Sequence, residues 1–187
     1  LVGNGYRNPV NVHDDFGEFL IQMEQGWREK LKNIKKVDFR NFNFTACNLS
    51  MPKELFTRMG GFDVRFSDGE DFDFGMRALY SNMSIYYDDT LIAWHNDWPD
   101  ITAMIKRQNE YTQAKNEIAK AHPEYLDYFP SLCIKEGGKI KKIVSRIIRS
   151  TMGKMVMARS VLFEKMPPKI KFILYHITIA ANSINNQ

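Results

Sequence analysis

Two adjacent carboxylates and one later histidine are the residues of this chain best placed to do chemistry. Glu70 and Asp71 follow Ser67-Asp68-Gly69, and His95 closes an apolar stretch that begins at Thr90. A carboxylate can take a proton from a reacting hydroxyl, and a histidine with oxygen ligands can hold a divalent cation. The triplet therefore suits a reaction that needs a general base and a metal ion. Glu70, Asp71 and Asp73 also fall in the first turn of an expected helix, where negative charge meets the positive end of the helix dipole. A plain acidic cap accounts for them equally well at this point, and a packed strand-end histidine accounts for His95.

The elements around these residues can be read from spacing. Phe72, Met76 and Leu79 recur at helical intervals, so the helix should run to about Tyr80. Ser81-Asn82 breaks it, and Ile85-Tyr86-Tyr87 followed by Thr90 to Trp94 reads as extended chain ending at His95. Upstream, Pro52 suits the first turn of a short helix through Leu55, Phe56 and Met59, which Gly60-Gly61 ends by supplying positive φ. Phe62 should anchor the next loop, and the glycines let Asp68 to Asp71 face a pocket.

Taken together, Asn48-Leu49-Ser50, Gly60-Gly61-Phe62-Asp63, Gly69-Glu70-Asp71, Arg77 and His95 resemble the C-terminal half of family 2 glycosyltransferases, in particular those with a galactosyltransferase-type acceptor region. Each piece alone is weak, and their common order between Thr45 and His95 carries the likeness. The resemblance covers residues 1–125 well and the rest only loosely. It implies an α/β chain forming the acceptor-side half of a Rossmann-like GT-A fold, with a few strands. It also implies transfer of a sugar from a nucleotide-sugar donor to an acceptor hydroxyl, by inversion, with Mn2+ or Mg2+. By the same likeness Asp71 is the base, Glu70 orients it or binds acceptor, and His95 is a metal ligand whose ring Asp97 orients. Asn48, Gly69, Trp94 and Asp97 complete the substrate-binding set. Trp94 and Trp98 could stack on a sugar face, although core packing explains either equally well. His13, His122 and His176 have no matching context.

One departure matters. The family's N-terminal half carries a nucleotide-binding sheet and an Asp-x-Asp metal motif. No Asp-x-Asp in that context precedes Thr45, and Asp71-Phe72-Asp73 has the spacing but belongs to the acceptor motif. The donor half is therefore expected from upstream residues or another chain, and this polypeptide by itself is not expected to turn over a donor. A non-catalytic module that binds a glycan or a partner is the alternative. Leu1 is not expected to be a natural N-terminus, and no signal peptide is visible.

Composition agrees with a folded chain. With 187 residues, 44% hydrophobic and 13% aromatic, it can bury a substantial core and is not of disordered type. Cys47 and Cys133 are isolated, which argues against a disulfide framework or a zinc site and makes a reducing, cytoplasmic setting the default. The sequons at Asn43, Asn48 and Asn82 would matter only in a secreted protein.

The net charge of +4 hides an asymmetry: residues 134–187 carry 11 Lys and Arg against Glu136 and Glu164, leaving the rest acidic. We therefore expect residues 1–133 to form the acceptor and metal-binding half, and 134–187 a basic pair of amphipathic helices beyond Gly137-Gly138. In order along the chain, residues 1–12 should be extended. A helix capped by Asp14 or Asp15 then carries Phe16, Phe19, Leu20, Met23, Trp27 and Leu31, and should lie on a sheet. A long helix spans about Asp100 to Ala121. The tail holds one helix from Ile140 to Phe163 and a second after Pro167-Pro168, whose apolar run is too short to span a bilayer. The tail could pack on the domain or dock at the inner face of an anionic membrane. No nucleic-acid motif accompanies its charge.

Overall fold

The computed structural model describes residues 1–132 and 139–183, with backbone only at 139–142, 144 and 183. Gly137-Gly138 and Cys133 lie outside the described residues. The architecture is mixed α/β, with a small three-stranded sheet outweighed by helices. Strand β3 (Ile85–His95) is central, with β1 (Val2–Arg7) parallel on one side and β2 (Lys36–Val37) antiparallel on the other. The two extended stretches read from the sequence are one strand, with an irregularity in register: Val2 pairs with Tyr87, but Asn4 pairs with Ile92. Asp88 produces the local turn, its carboxylate accepting from the Thr90 amide at 2.9 Å.

Helix α1 (Asp15–Leu31) is capped by Asp14, which accepts from the Gly17 amide at 2.8 Å. Phe16, Phe19 and Leu20 are buried, as expected, but mainly against the C-terminal helices rather than the sheet. Trp27 is exposed, because the burial of α1 is confined to its first two turns. Short α2 (Lys53–Arg58) ends at Gly60 and Gly61, both left-handed, with φ of +81° and +67°. Helix α3 (Glu70–Tyr80) then sits between two cores. Phe74 and Ala78 join Val2, Val37, Phe44, Ile85 and Tyr87 against the sheet. Met76 joins Phe66, Ile118, Tyr125 and Leu132 beside α4 (Ile101–Ala121).

A polar network runs through this junction. Asp73 is fully buried and accepts from Arg77 Nε at 2.8 Å and, at 3.3 Å, from the Tyr125 hydroxyl. The His122 ring lies 3.4 Å from the same carboxylate. Arg77 in turn donates to the carbonyls of Met59 (2.6 Å) and Gly61 (2.7 Å), clamping the end of α2 to α3. These two carbonyls belong to the turn that α2 leaves behind, so one guanidinium satisfies both.

The basic tail is part of the same body. One helical stretch runs as α5 (Lys139–Ile148), a π-turn (Arg149–Gly153) and α6 (Lys154–Met157). It stops earlier than expected, because Arg159 is left-handed (φ +45°) and Ser160 caps the short α7 (Val161–Glu164). Val156, Phe163, Leu174 and Tyr175, the last two on α8 (Pro168–Ser183), pack on Phe16, Phe19 and Leu20. Arg159 bonds Asp14 (2.9 Å), Asp15 (3.0 Å) and Glu164 (2.6 Å), while Lys171 bonds Asp15 (2.8 Å) and Glu164 (3.2 Å). Burial acts to raise the Asp15 carboxyl, but Lys171 and Tyr175 outweigh it and hold it below its usual value. Arg159 and Lys171 hold Glu164 low as well.

Two outcomes follow. Asp73→Asn leaves Arg77 without its carboxylate in a desolvated setting and should cost about 3 kcal/mol, read from the shift in urea midpoint. Depressed carboxylates stabilise fully above their unfolded values and lose that contribution as pH falls through the folded ones. Stability should therefore drop on acidification below the ordinary 3.8 of Asp15 and 4.5 of Glu164. Asp15→Asn should flatten that part of the urea-midpoint-versus-pH curve.

Candidate active site

Of the residues singled out from the sequence, Asp71, Asn48 and His95 meet around a single 3-10 turn, Ala46–Asn48. Thr45 caps the turn, accepting from the Cys47 amide at 3.4 Å. Leu49 forms a bridge to Val2, so the Asn48-Leu49-Ser50 segment runs antiparallel beside β1. Asn48 donates its side-chain amide to the carbonyls of Asn4 and Leu91, both at 3.1 Å. It thereby ties the turn to β1 and β3 at once. Its amide is spent on backbone, which gives Asn48 a positioning role.

Asp71 reaches the turn from α3. Its Oδ2 accepts from the Ala46 amide at 3.1 Å, and its Oδ1 accepts from the Phe72 amide at 2.7 Å. Two backbone donors thus fix the carboxylate's orientation, and each oxygen keeps a lone pair for a further partner. Glu70 folds back onto its own helix cap, where Oε2 accepts from the Gly69 amide at 3.0 Å. Gly69 has φ +120° and no side-chain cap, and an added Cβ would lie 3.0 Å from Ile118 Cδ1. The absence of a side chain there lets the start of α3 approach α4.

His95 arrives on the other side of the turn. It pairs with Arg7 in the parallel ladder, and its ring lies over Gly5. A Cβ on Gly5 would meet His95 Nε2 at 2.5 Å and Cys47 Sγ at 2.7 Å, so imidazole and thiol are neighbours across a gap that only glycine leaves open. Among the described residues neither ring nitrogen of His95 has a hydrogen-bond partner, and Cys47 is an exposed free thiol. Sequence spacing did not single out Cys47, because only the fold sets it beside a histidine 48 positions away. Alongside the turn runs an open groove of about 460 Å3, whose walls include Ala46, Leu49, Met51, Lys53, Phe56 and Phe62.

Two expected members sit elsewhere. Asp97 does not orient His95: its carboxylate pairs with Arg107 at 3.1 Å and lies 3.8 Å from Arg7, whose Nε also donates to the Asp97 carbonyl at 2.6 Å. Two guanidinium groups attract a carboxylate more strongly than a neutral imidazole does. Trp94 precedes His95 in the strand and so faces the opposite side of the sheet. There it borders a cavity of about 80 Å3 with Tyr6, Arg7, Glu24 and Arg28. Arg7 and Glu24 form an ion pair across it. Trp98 is packed against Gly17 of α1, about 3.3 Å from where a Cβ would stand.

The donor set fits a cation only in part. His95 offers a free imidazole, but among the described residues no three His, Cys, Asp or Glu side chains come together as a ligand group. His95 therefore suits one position in a coordination sphere completed from outside the described residues. No family model, curated protein or solved structure matches the chain.

Asn48→Ala removes both bonds that tie the turn to the sheet and should cost about 1–2 kcal/mol in urea denaturation. An unchanged midpoint would assign Asn48 to ligand contact instead.

Proposed function

We propose that this chain is the acceptor-side part of a GT-A glycosyltransferase of family 2 type, with Asp71 as the general base. The observation that carries the reading is the Asp71–Ala46 hydrogen bond. Through it the acidic start of α3 meets the Asn48-Leu49-Ser50 turn, and His95 meets the same turn at Cys47, although these segments are remote in sequence. Glycosyl transfer to a hydroxyl needs a fixed carboxylate to accept the proton as the oxygen attacks the anomeric carbon. Asp71 has that fixed orientation, and the groove lined by its hydrogen-bond partner Ala46 offers an apolar wall for the acceptor with Lys53 for an anionic group on it. In this reading a nucleotide-sugar donor is held by a donor-binding half outside this chain. A divalent cation, Mn2+ or Mg2+, supplies charge neutralisation at the diphosphate, and His95 is the residue of this chain that holds it. Glu70 keeps the start of α3 in place.

A second reading is a non-catalytic glycan- or partner-binding module. It is favoured by the engagement of both carboxylates with backbone amides, which is what a helix cap alone would do.

Donor turnover separates the two. The longest natural polypeptide that contains this chain should be assayed with manganese and a panel of nucleotide sugars, beside Asp71→Asn. The amide keeps an oxygen for Ala46 but cannot accept the proton, so turnover should fall at least about a hundredfold with the fold retained. Full activity in Asp71→Asn removes the base assignment, and absence of turnover with every donor favours the binding module.

A further inference from the structure

Helix α5 is strongly amphipathic, and part of its apolar side stands in solvent. Ser145 is buried at 4% exposure, whereas Ile143 and Ile147 are 56% and 57% exposed. At 100° per residue both isoleucines stand on the face opposite Ser145. Beyond Ile148 the π-turn re-phases the helix, with the Ser150 and Thr151 hydroxyls both donating to the Ile147 carbonyl, and Gly153 and Val156 turn inward. The turn lets the helix anchor through its C-terminal part while Ile143 and Ile147 stay outward. The same tail also exposes Val161, Leu162, Ile170 and Ile173.

Charge accompanies this face. Arg146 is exposed, and positions 139, 142 and 146, all Lys or Arg, fall on one strip of α5 beside that of 143 and 147. Arg146, Arg149, Lys154, Lys165 and Lys169 make no ion pair with any described residue, in contrast to Arg159 and Lys171. Two exposed isoleucines bordered by unpaired cations fit the boundary of an anionic bilayer, where the aliphatic groups leave water and the cations meet headgroup phosphates. A protein interface is a poorer match, since lysine is depleted where partners desolvate each other. None of the described helices is long and apolar enough to cross a membrane, so the contact is with the surface.

We propose that α5 docks this chain on an anionic lipid surface, with Ile143 and Ile147 at the headgroup boundary and Arg146, on the basic strip beside them, against the phosphates. The contact does not rest on the sugar-transfer reading and holds whether or not the chain is a transferase.

Cosedimentation of the whole chain with vesicles of phosphatidylcholine, alone or with about one third phosphatidylglycerol, tests it. Binding is expected only to the anionic vesicles, and is expected to be lost in about 1 M salt, where charges are screened within about 3 Å. Two double variants are compared: Ile143→Ser with Ile147→Ser, and Lys142→Glu with Arg146→Glu. Each should weaken partitioning at least about tenfold with an unchanged circular dichroism spectrum. Absence of vesicle binding overturns the proposal, as does equal binding to neutral vesicles. So does vesicle binding that the isoleucine variant leaves intact. Self-association lost in the isoleucine variant, without vesicle binding, would assign the face to a second copy of the chain. Salt-sensitive binding to a duplex oligonucleotide, indifferent to that variant and without vesicle binding, would assign the charge to nucleic acid.

Discussion

The Asp73–Arg77 pair is the contact on which the placement of the candidate site depends. Asp73 is wholly buried, and its charge is tolerated because Arg77 and the Tyr125 hydroxyl surround it. Arg77 is committed at both ends, to Asp73 within α3 and to two carbonyls where α2 ends. The Gly60-Gly61 turn is thereby locked to α3, and the loop from Phe62 to Gly69 spans between two fixed points. Glu70 and Asp71 stand at the exit of that loop. A buried pair of this kind contributes geometry more than net stability, since desolvation offsets much of its Coulomb attraction.

From that lock the site is assembled by backbone rather than by side-chain clustering. The amides of Gly69, Phe72 and Ala46 hold the two carboxylates, and two carbonyls hold Asn48. His95 and Cys47, by contrast, have no such bonds among the described residues. The gap at Gly5 allows the 3-10 turn to press close against the sheet, because a side chain there would collide with both. The two faces of the strand end are then used differently. His95 meets the turn, while Trp94 borders a separate small cavity under α1.

The C-terminal segment shows two uses of positive charge. Arg159 and Lys171 are consumed in a network with Asp14, Asp15 and Glu164 that fastens the tail to the N-terminus of α1. Arg146, Arg149, Lys154, Lys165 and Lys169 make no ion pair with any described residue, and exposed aliphatic groups accompany them. Net charge alone does not separate these roles, because a paired lysine and a free one count equally.

Much of the local structure was legible in the sequence. Helical spacing located α3 and α4, Asp14 or Asp15 was readable as the cap of α1, and Gly60-Gly61 signalled the left-handed turn. These features depend on residues within one or two turns of each other, so the pattern carries them. Asp73 was legible only as one more acid in a first turn. Its burial is decided by Tyr125 and His122, about fifty residues away. Periodicity placed Trp27 on the apolar stripe of α1, yet it is exposed. Periodicity identifies a stripe and cannot say whether another element covers it. The π-turn and left-handed Arg159, which set where the tail helices point, left no signal in the apolar pattern. The family resemblance assigned Asp97 to His95, but Arg7 and Arg107 converge on it in space and take it. The chemistry of single residues and short turns was therefore determined by the sequence itself. Which groups share a partner, and which face is left for solvent or a surface, was decided only by packing between distant segments.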